Sequence, residues 1–143
     1  MLARGDAGPV VIMVEGKCAE SFGPTVGKWL EKKGNGRKRR LRFLQETLGI
    51  PRVKAGIRYQ LLHRATSALL TGAQYRAAAA VLIVHSYDAP KDRTQPAGWE
   101  DYLVFADLLG VQAESGKVQK SRAETAVPLF LLWMPGDLQY TKC

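Results

Sequence analysis

PVVIMVEGK, residues 9–17, decides the fold. The run 9–15 is continuously apolar and rich in β-branched side chains up to its terminal acid. That is the pattern of a strand buried on both faces, as in α/β proteins. Two later runs repeat it: AVLIVHS, 80–86, and VPLFLLWM, 127–134, where Pro128 implies an edge position or a strand start. Helical patterns fill the intervals. Gly23-Pro24 opens a helix through about residue 33, since proline suits a first helical turn. Gly34-Asn35-Gly36 breaks the chain. Leu41, Leu44 and Leu48 then stripe a helix over 37–48 that Gly49 and Pro51 stop. Ile57, Leu61, Ala65, Ala68, Leu69 and Ala73 recur at helical spacing over 57–79. Trp99, Tyr102, Leu103, Ala106 and Leu109 do so over 99–109, with Glu100 and Asp101 at the positive end of that helix. Residues 111–126 read as a polar loop. Alternating strands and helices predict an α/β domain, a short mixed sheet flanked by helices. Three strands make a thin sheet, so further elements are expected upstream, or the chain is part of a domain.

The 143 residues suit one domain, and 46% hydrophobic with 24% charged residues is ordinary for a globular chain. Two cysteines and two histidines make neither a disulfide framework nor a zinc site. No apolar run reaches the length of a membrane span and no signal peptide opens the chain, so the expected setting is cytoplasmic, away from membranes. The formal net charge is +8. Much of it falls in one segment: Lys28, Lys32, Lys33, Arg37, Lys38, Arg39, Arg40 and Arg42, opposed there by Glu31 alone. Such a concentration attracts polyanions. Lys32 and Lys33 fit the C-terminal end of a helix dipole. Arg37 to Arg40 stand at a helix start, where each cation costs about 0.3–1 kcal/mol. That local cost points to an external anion, for which the expected partner is nucleic acid, DNA in particular.

Gly23-Pro-Thr-Val-Gly-Lys28 looks at first like a phosphate loop. The pattern G-x-x-x-x-G-K-[ST] requires glycine at 22 and a hydroxyl at 29, where Phe22 and Trp29 stand. Pro24 also removes a backbone donor. These residues start a helix instead, with Trp29 packing on the core. Glu15-Gly16-Lys17 is a different matter. Residues two apart on a strand share a face, so a carboxylate and an ammonium meet at the strand's end. The carboxylate suits a hard cation such as Mg²⁺, and the lysine suits charge developing on a phosphate. A plain ion pair is the competing reading, and a second carboxylate is wanted; Glu20 reaches toward the same place or serves the loop. In the 57–79 helix, Gln60, His63, Arg64, Ser67, Thr71 and Gln74 form a polar stripe opposite the leucines. The stripe is either a solvated face or the lining of a cleft in which Arg64 grips phosphate in a fork. His85 is expected to hydrogen-bond locally.

The stretches VEGKCAESFGPTVGKWL, IRYQLLHRATSAL, AVLIVHSY, WEDYLVFADLLG and VPLFLLWMPGD together resemble an uncharacterised family of bacterial proteins, over nearly the whole chain. Members of that family resemble the PD-(D/E)XK, restriction-endonuclease-like superfamily; that link rests on Glu15-Gly16-Lys17, its strand and the helix that follows. The resemblance implies a restriction-endonuclease-like fold and a Mg²⁺-dependent nuclease. Glu15 would be the metal ligand, Lys17 would stabilise charge or orient water, and Gln60 would be a further catalytic side chain from the helix. The superfamily's partner Asp should precede this strand. Asp6, in the turn Arg4-Gly5-Asp6-Ala7-Gly8, reads as a hairpin residue rather than a ligand. The chain is therefore expected to lack N-terminal elements, with Met1 to Arg4 the tail of a strand. The alternative it leaves is a non-catalytic nucleic-acid-binding or regulatory module of the same fold.

Overall fold

The computed structural model describes residues 1–32, 34–87 and 95–136. In chain order the elements are β1 (Leu2–Gly5), β2 (Gly8–Lys17), α1 (Val26–Glu31), α2 (Asn35–Leu48), α3 (Tyr59–Gln74), β3 (Ala79–Ser86), α4 (Trp99–Leu108), β4 (Gln119–Lys120) and β5 (Leu129–Pro135). The sheet order is β1-β2-β3-β5-β4. Strands β2, β3 and β5 are parallel, and the short β1 and β4 pair antiparallel at the two edges. The domain is α/β with a short mixed sheet, as the alternation of patterns predicts. The two strands beyond the expected three are short. Leu2–Gly5 is the strand whose tail Met1 to Arg4 suggests, turned back at Asp6-Ala7. Gln119–Lys120 lies inside the polar 111–126 segment. Pro128 sits immediately before β5, the strand-start reading, and β5 lies between β3 and β4.

The parallel strands step across the sheet in one direction, β2 to β3 to β5. Crossovers between parallel strands are right-handed, so successive steps in one direction put their helices on the same side. The burial pattern follows. On one face Val11, Glu15 and Lys17 of β2, Ala80, Leu82 and Val84 of β3, and Leu129, Leu131 and Trp133 of β5 are buried. Val10, Ile12, Val81, Ile83, Phe130 and Leu132, on the other face, are only partly buried, and Val14 is 45% exposed. Among the described residues the strands are fully buried on one face only, a correction to the two-sided burial their composition predicts.

The covered face carries the core. Trp133 stands edge-on to Trp99 at 5.1 Å and tilted to Tyr102 at 5.2 Å, with Phe22 at 6.4 Å. Burial pushes the Tyr102 phenol well above its ordinary pKa. Leu44 and Leu48 of α2 and Leu61, Leu62, Ala65, Ala68 and Leu69 of α3 complete the packing.

Helix ends depart from the sequence reading in three places. Thr25 caps α1, its hydroxyl accepting from Lys28 N at 3.4 Å, so Pro24 precedes the cap instead of occupying the first turn. Helix α2 begins at Asn35, within the glycine break, and ends as expected at Gly49, whose φ of 63° is left-handed. Helix α3 ends at Gln74, before the alanines 77–79. Ala78 N–H bonds Pro9 O at 2.8 Å and Ala79 pairs with Val10, so the growing sheet takes residues whose own preference is helical.

Candidate functional site

The first turn of α3 is pinned over the end of β2 by backbone contacts. Val26 N–H donates to Ile57 O at 2.8 Å, Gly27 N–H to Ala55 O at 2.9 Å, and Tyr59 N–H to Pro24 O at 3.2 Å. Arg58 Nη1 adds a bond to Gly23 O at 2.6 Å, and its Nε lies 2.9 Å from Asp101 of α4 without hydrogen-bond geometry. Gln60, in that first turn, therefore overhangs the last residues of β2.

Glu15 and Lys17 point to the covered face at the C-terminal end of β2, 6% and 5% exposed. Their side chains approach to 3.4 Å. Gln60 bridges them: its Nε2 donates to Glu15 Oε1 at 2.5 Å and its Oε1 accepts from Lys17 Nζ at 3.0 Å. Arg64, one turn along α3, donates from Nε to Glu15 Oε2 at 2.6 Å. Lys17 Nζ is completed by Ser21 O at 3.2 Å and the exposed Glu20 carboxylate at 3.5 Å, and lies 5.1 Å from the centre of the Phe22 ring. Each buried charge thus has a charged partner and several hydrogen bonds, the condition for burying it. Beside Lys17 in the sheet register stands Ser86, 3% exposed, whose hydroxyl has no partner.

Both oxygens of Glu15 are taken by nitrogen donors, and among the described residues no group of three or more His, Cys, Asp or Glu side chains could hold a metal ion. Asp6 is exposed in the β1–β2 turn, at the opposite end of β2 from Glu15.

A second cluster adjoins the first through α3. Trp29 of α1 stacks on Tyr59 at 4.1 Å between ring centres, and Tyr59 lies 6.0 Å from His63. Arg37, at the start of α2, covers Trp29 at 5.1 Å and donates from Nη1 to the Trp29 carbonyl. His63 has a lowered pKa, first from partial burial and then from the charges of Arg64 and Arg40. A cavity of about 290 Å³ is lined by Trp29, Gly34, Gly36, Arg37 and Arg40. Its floor is the N-terminus of α2, whose Gly34 cap has no side chain to satisfy the free N–H groups.

The structure brings together Glu15, Lys17, Gln60 and Arg64, and places Arg37 and Arg40 next to them across His63. The rest of the basic segment does not form one surface. Side chains on a helix advance about 100° per residue, so Lys38, Arg39 and Arg42 fan away from α3 into solvent. Arg42 lines a separate cavity of about 540 Å³ with Gln45, Glu46, Gly49, Ile50 and Pro51. Lys28 and Lys32 are exposed on α1 and just past its end, and Lys33 lies outside the described residues. His85 bonds locally, its Nδ1 2.9 Å from Tyr87 Oη, on the uncovered side of the sheet. Trp29 stands between Lys28 and Lys32, but the sequence reading assigns it to the core, and no aromatic lies within Arg37 to Arg40; only the fold stacks Trp29 on Tyr59 beside Arg37. The one local signal is Tyr59 standing one turn ahead of His63.

Among the described residues no helix is long and apolar enough to cross a membrane. No curated protein and no solved structure matches the chain. The model of one family, described as a domain of unknown function, DUF6946, matches residues 1–138, and the chain belongs to that family.

Proposed function

We propose that this domain binds the phosphate backbone of nucleic acid across the face shared by the start of α2 and the first turns of α3. One observation carries the reading: Arg37 and Arg40 of α2 and Arg64 of α3 converge around the Trp29–Tyr59–His63 stack. A phosphate fits the cavity at the α2 N-terminus, where free N–H groups and two guanidinium groups favour an anion. Arg64 spends its Nε on Glu15 and is 39% exposed, so its outer nitrogens remain for a second phosphate. The buried Glu15–Gln60–Lys17 group then acts as the anchor that aims Arg64. The test is fluorescence anisotropy with labelled duplex DNA. Binding at about 50 mM salt should weaken steeply by 200 mM, with a log–log slope near −0.9 per phosphate neutralised. Absence of binding at the lower salt overturns the reading.

The Glu-x-Lys geometry supports a second reading, a Mg²⁺-dependent phosphodiesterase. Glu15 and Lys17 share a face, and Gln60 reaches them from the next helix. Glu15 would be the metal's ligand once Arg64 turned outward to substrate, with Glu20 the nearest further carboxylate. Calorimetric titration with Mg²⁺ and Mn²⁺ separates the two. Heat that disappears in Glu15→Ala favours the enzyme, and no heat at millimolar metal favours the binding module.

A further inference from the structure

The phosphate site uses the arginines around the Trp29–Tyr59–His63 stack and leaves one end of the stack open. The planes of Trp29 and Tyr59 differ by 14° and those of Tyr59 and His63 by 26°, so the three rings form a nearly parallel column. Arg37 closes one end, over Trp29 at 5.1 Å. The other end is His63, which is exposed. Tyr59, His63 and Ser67 follow one another at helical i, i+4 spacing on α3 and share one row of its surface. Helical side chains lean toward the N-terminus. One face of the His63 ring is therefore turned to Tyr59 and the other toward Ser67. Ser67 is too short to cover that face, and its hydroxyl is turned in to the His63 carbonyl at 2.9 Å. Leu70, 45% exposed, stands two turns beyond His63 on the same side of α3. Those two turns span about 10 Å, and a stacked base occupies about 3.4 Å. An imidazole and a leucine thus flank a slot that admits a base, with a serine as its floor.

We infer that an unpaired nucleobase stacks on the outer face of His63, so that the ligand of this site is single-stranded nucleic acid. The inference rests on the phosphate reading above and specifies the form of strand that the same site takes. Inside a duplex the neighbouring pairs cover both faces of every base, and a protein meets only base edges and phosphates. The end of a ring column offers a face, and an unpaired base is what such a face fits. Proteins that hold single strands combine a basic track for the backbone with rings on which bases stack. Both parts meet at His63. Arg40 of α2 and Arg64 of α3 are close enough to act on its charge. A nucleotide with its base on His63 therefore has a guanidinium from each helix near its phosphates. The same arginines, after partial burial, lower the His63 pKa from its ordinary 6.5. The ring is neutral at pH 7.5, and no charge has to be desolvated when a base covers it. Stacking uses the π-face that every base has, so the site tolerates any sequence.

Fluorescence anisotropy of the full chain at pH 7.5 and about 50 mM salt tests this with two labelled probes, an oligothymidylate of about 12 nucleotides and an abasic strand of the same length. The strand with bases should bind at least about fivefold tighter, the low end for one stacked base. His63 is exposed, so its substitution leaves the core intact. His63→Ala should bring the ratio of the two affinities close to one. His63→Phe, which keeps a ring face and loses both ring nitrogens, should retain it. An oligouridylate of the same length identifies the source: tighter binding than oligothymidylate names RNA, and weaker binding names DNA. Three results overturn the inference. Equal binding of both probes removes the stacked base and leaves the phosphate reading standing. A ratio that survives His63→Ala puts the stacking elsewhere. A ratio lost in His63→Phe means that a ring nitrogen, not the face, makes the contact. Absence of binding by either probe removes the phosphate reading itself, and this inference with it.

Discussion

Arg64 Nε donates to Glu15 Oε2 at 2.6 Å, joining the middle of α3 to the end of β2 across 49 residues of sequence. Glu15 is buried and Arg64 is 39% exposed on its side chain, so the pair connects an anchored carboxylate to a guanidinium that reaches solvent. That one contact makes the buried cluster and the basic surface a single unit.

The Glu15–Lys17 pair predicts non-additive stability. Removing Glu15 leaves the buried Lys17 with only the exposed Glu20 carboxylate at 3.5 Å as a charged partner among the described residues, at a cost of about 3–5 kcal/mol, whereas removing Lys17 leaves Glu15 still paired with Arg64 and costs less. Glu15→Leu with Lys17→Met together should cost clearly less than the sum of the singles, since neither charge then remains. Urea unfolding of the singles and the double decides it; strict additivity would show that the two side chains do not depend on each other.

Arg40→Ala and Arg64→Ala should each weaken duplex binding and make the salt dependence shallower by about 0.9 in slope. Arg39→Ala, on the side of α2 turned away from α3, should change the slope less. Equal effects at all three positions would mean diffuse attraction to the whole basic segment.

His63 predicts opposite pH effects on folding and on binding. Its folded pKa lies below the ordinary 6.5 because of partial burial, Arg64 and Arg40. As pH falls through 6.5 the unfolded chain takes up the proton first, so stability is full above that pH and declines below it. A phosphate bound beside His63 offsets the arginine charges and favours protonation, so polyanion affinity should rise over the same interval. His63→Gln should flatten both profiles, measured by thermal melts and by anisotropy between pH 5.5 and 7.5. A wild-type stability profile unchanged by that substitution refutes the assignment.

Gly49→Ala should destabilise the domain by about 2 kcal/mol or more. Gly49 has φ of 63°, and a Cβ there would run into the backbone oxygen of Glu124. Gly36→Ala, where a Cβ meets open space within α2, should be neutral or slightly stabilising. Paired melting curves of the two variants test the contrast.

Much of the architecture is legible locally. The apolar runs at 9–15, 80–86 and 127–134 mark the three parallel strands because short runs rich in β-branched and apolar side chains, bounded by turn residues, favour a strand, even though only one face of each is fully buried. Gly49 marks a helix end because a left-handed cap favours glycine. Glu15 and Lys17 are legible as neighbours, since alternation along a strand is a property of two residues' spacing. The edge strands were harder: Leu2–Gly5 and Gln119–Lys120 are short and paired on one side only, so their composition carries little signal.

Residue spacing and composition fix the alternation of strand and helix, the acid and amine at the end of β2, and the strength of the positive charge. Both act over one or two turns. Tertiary structure alone decided that Gln60 and Arg64 close around Glu15, that Trp29 and Tyr59 stack beside Arg37, and that only part of the basic segment faces α3. Those facts depend on how far apart segments pack and on the rotation of each helix, which long-range contacts set. It also decided which face of the sheet the described helices cover, because the direction in which successive crossovers step is a property of strand order, and no residue encodes strand order locally.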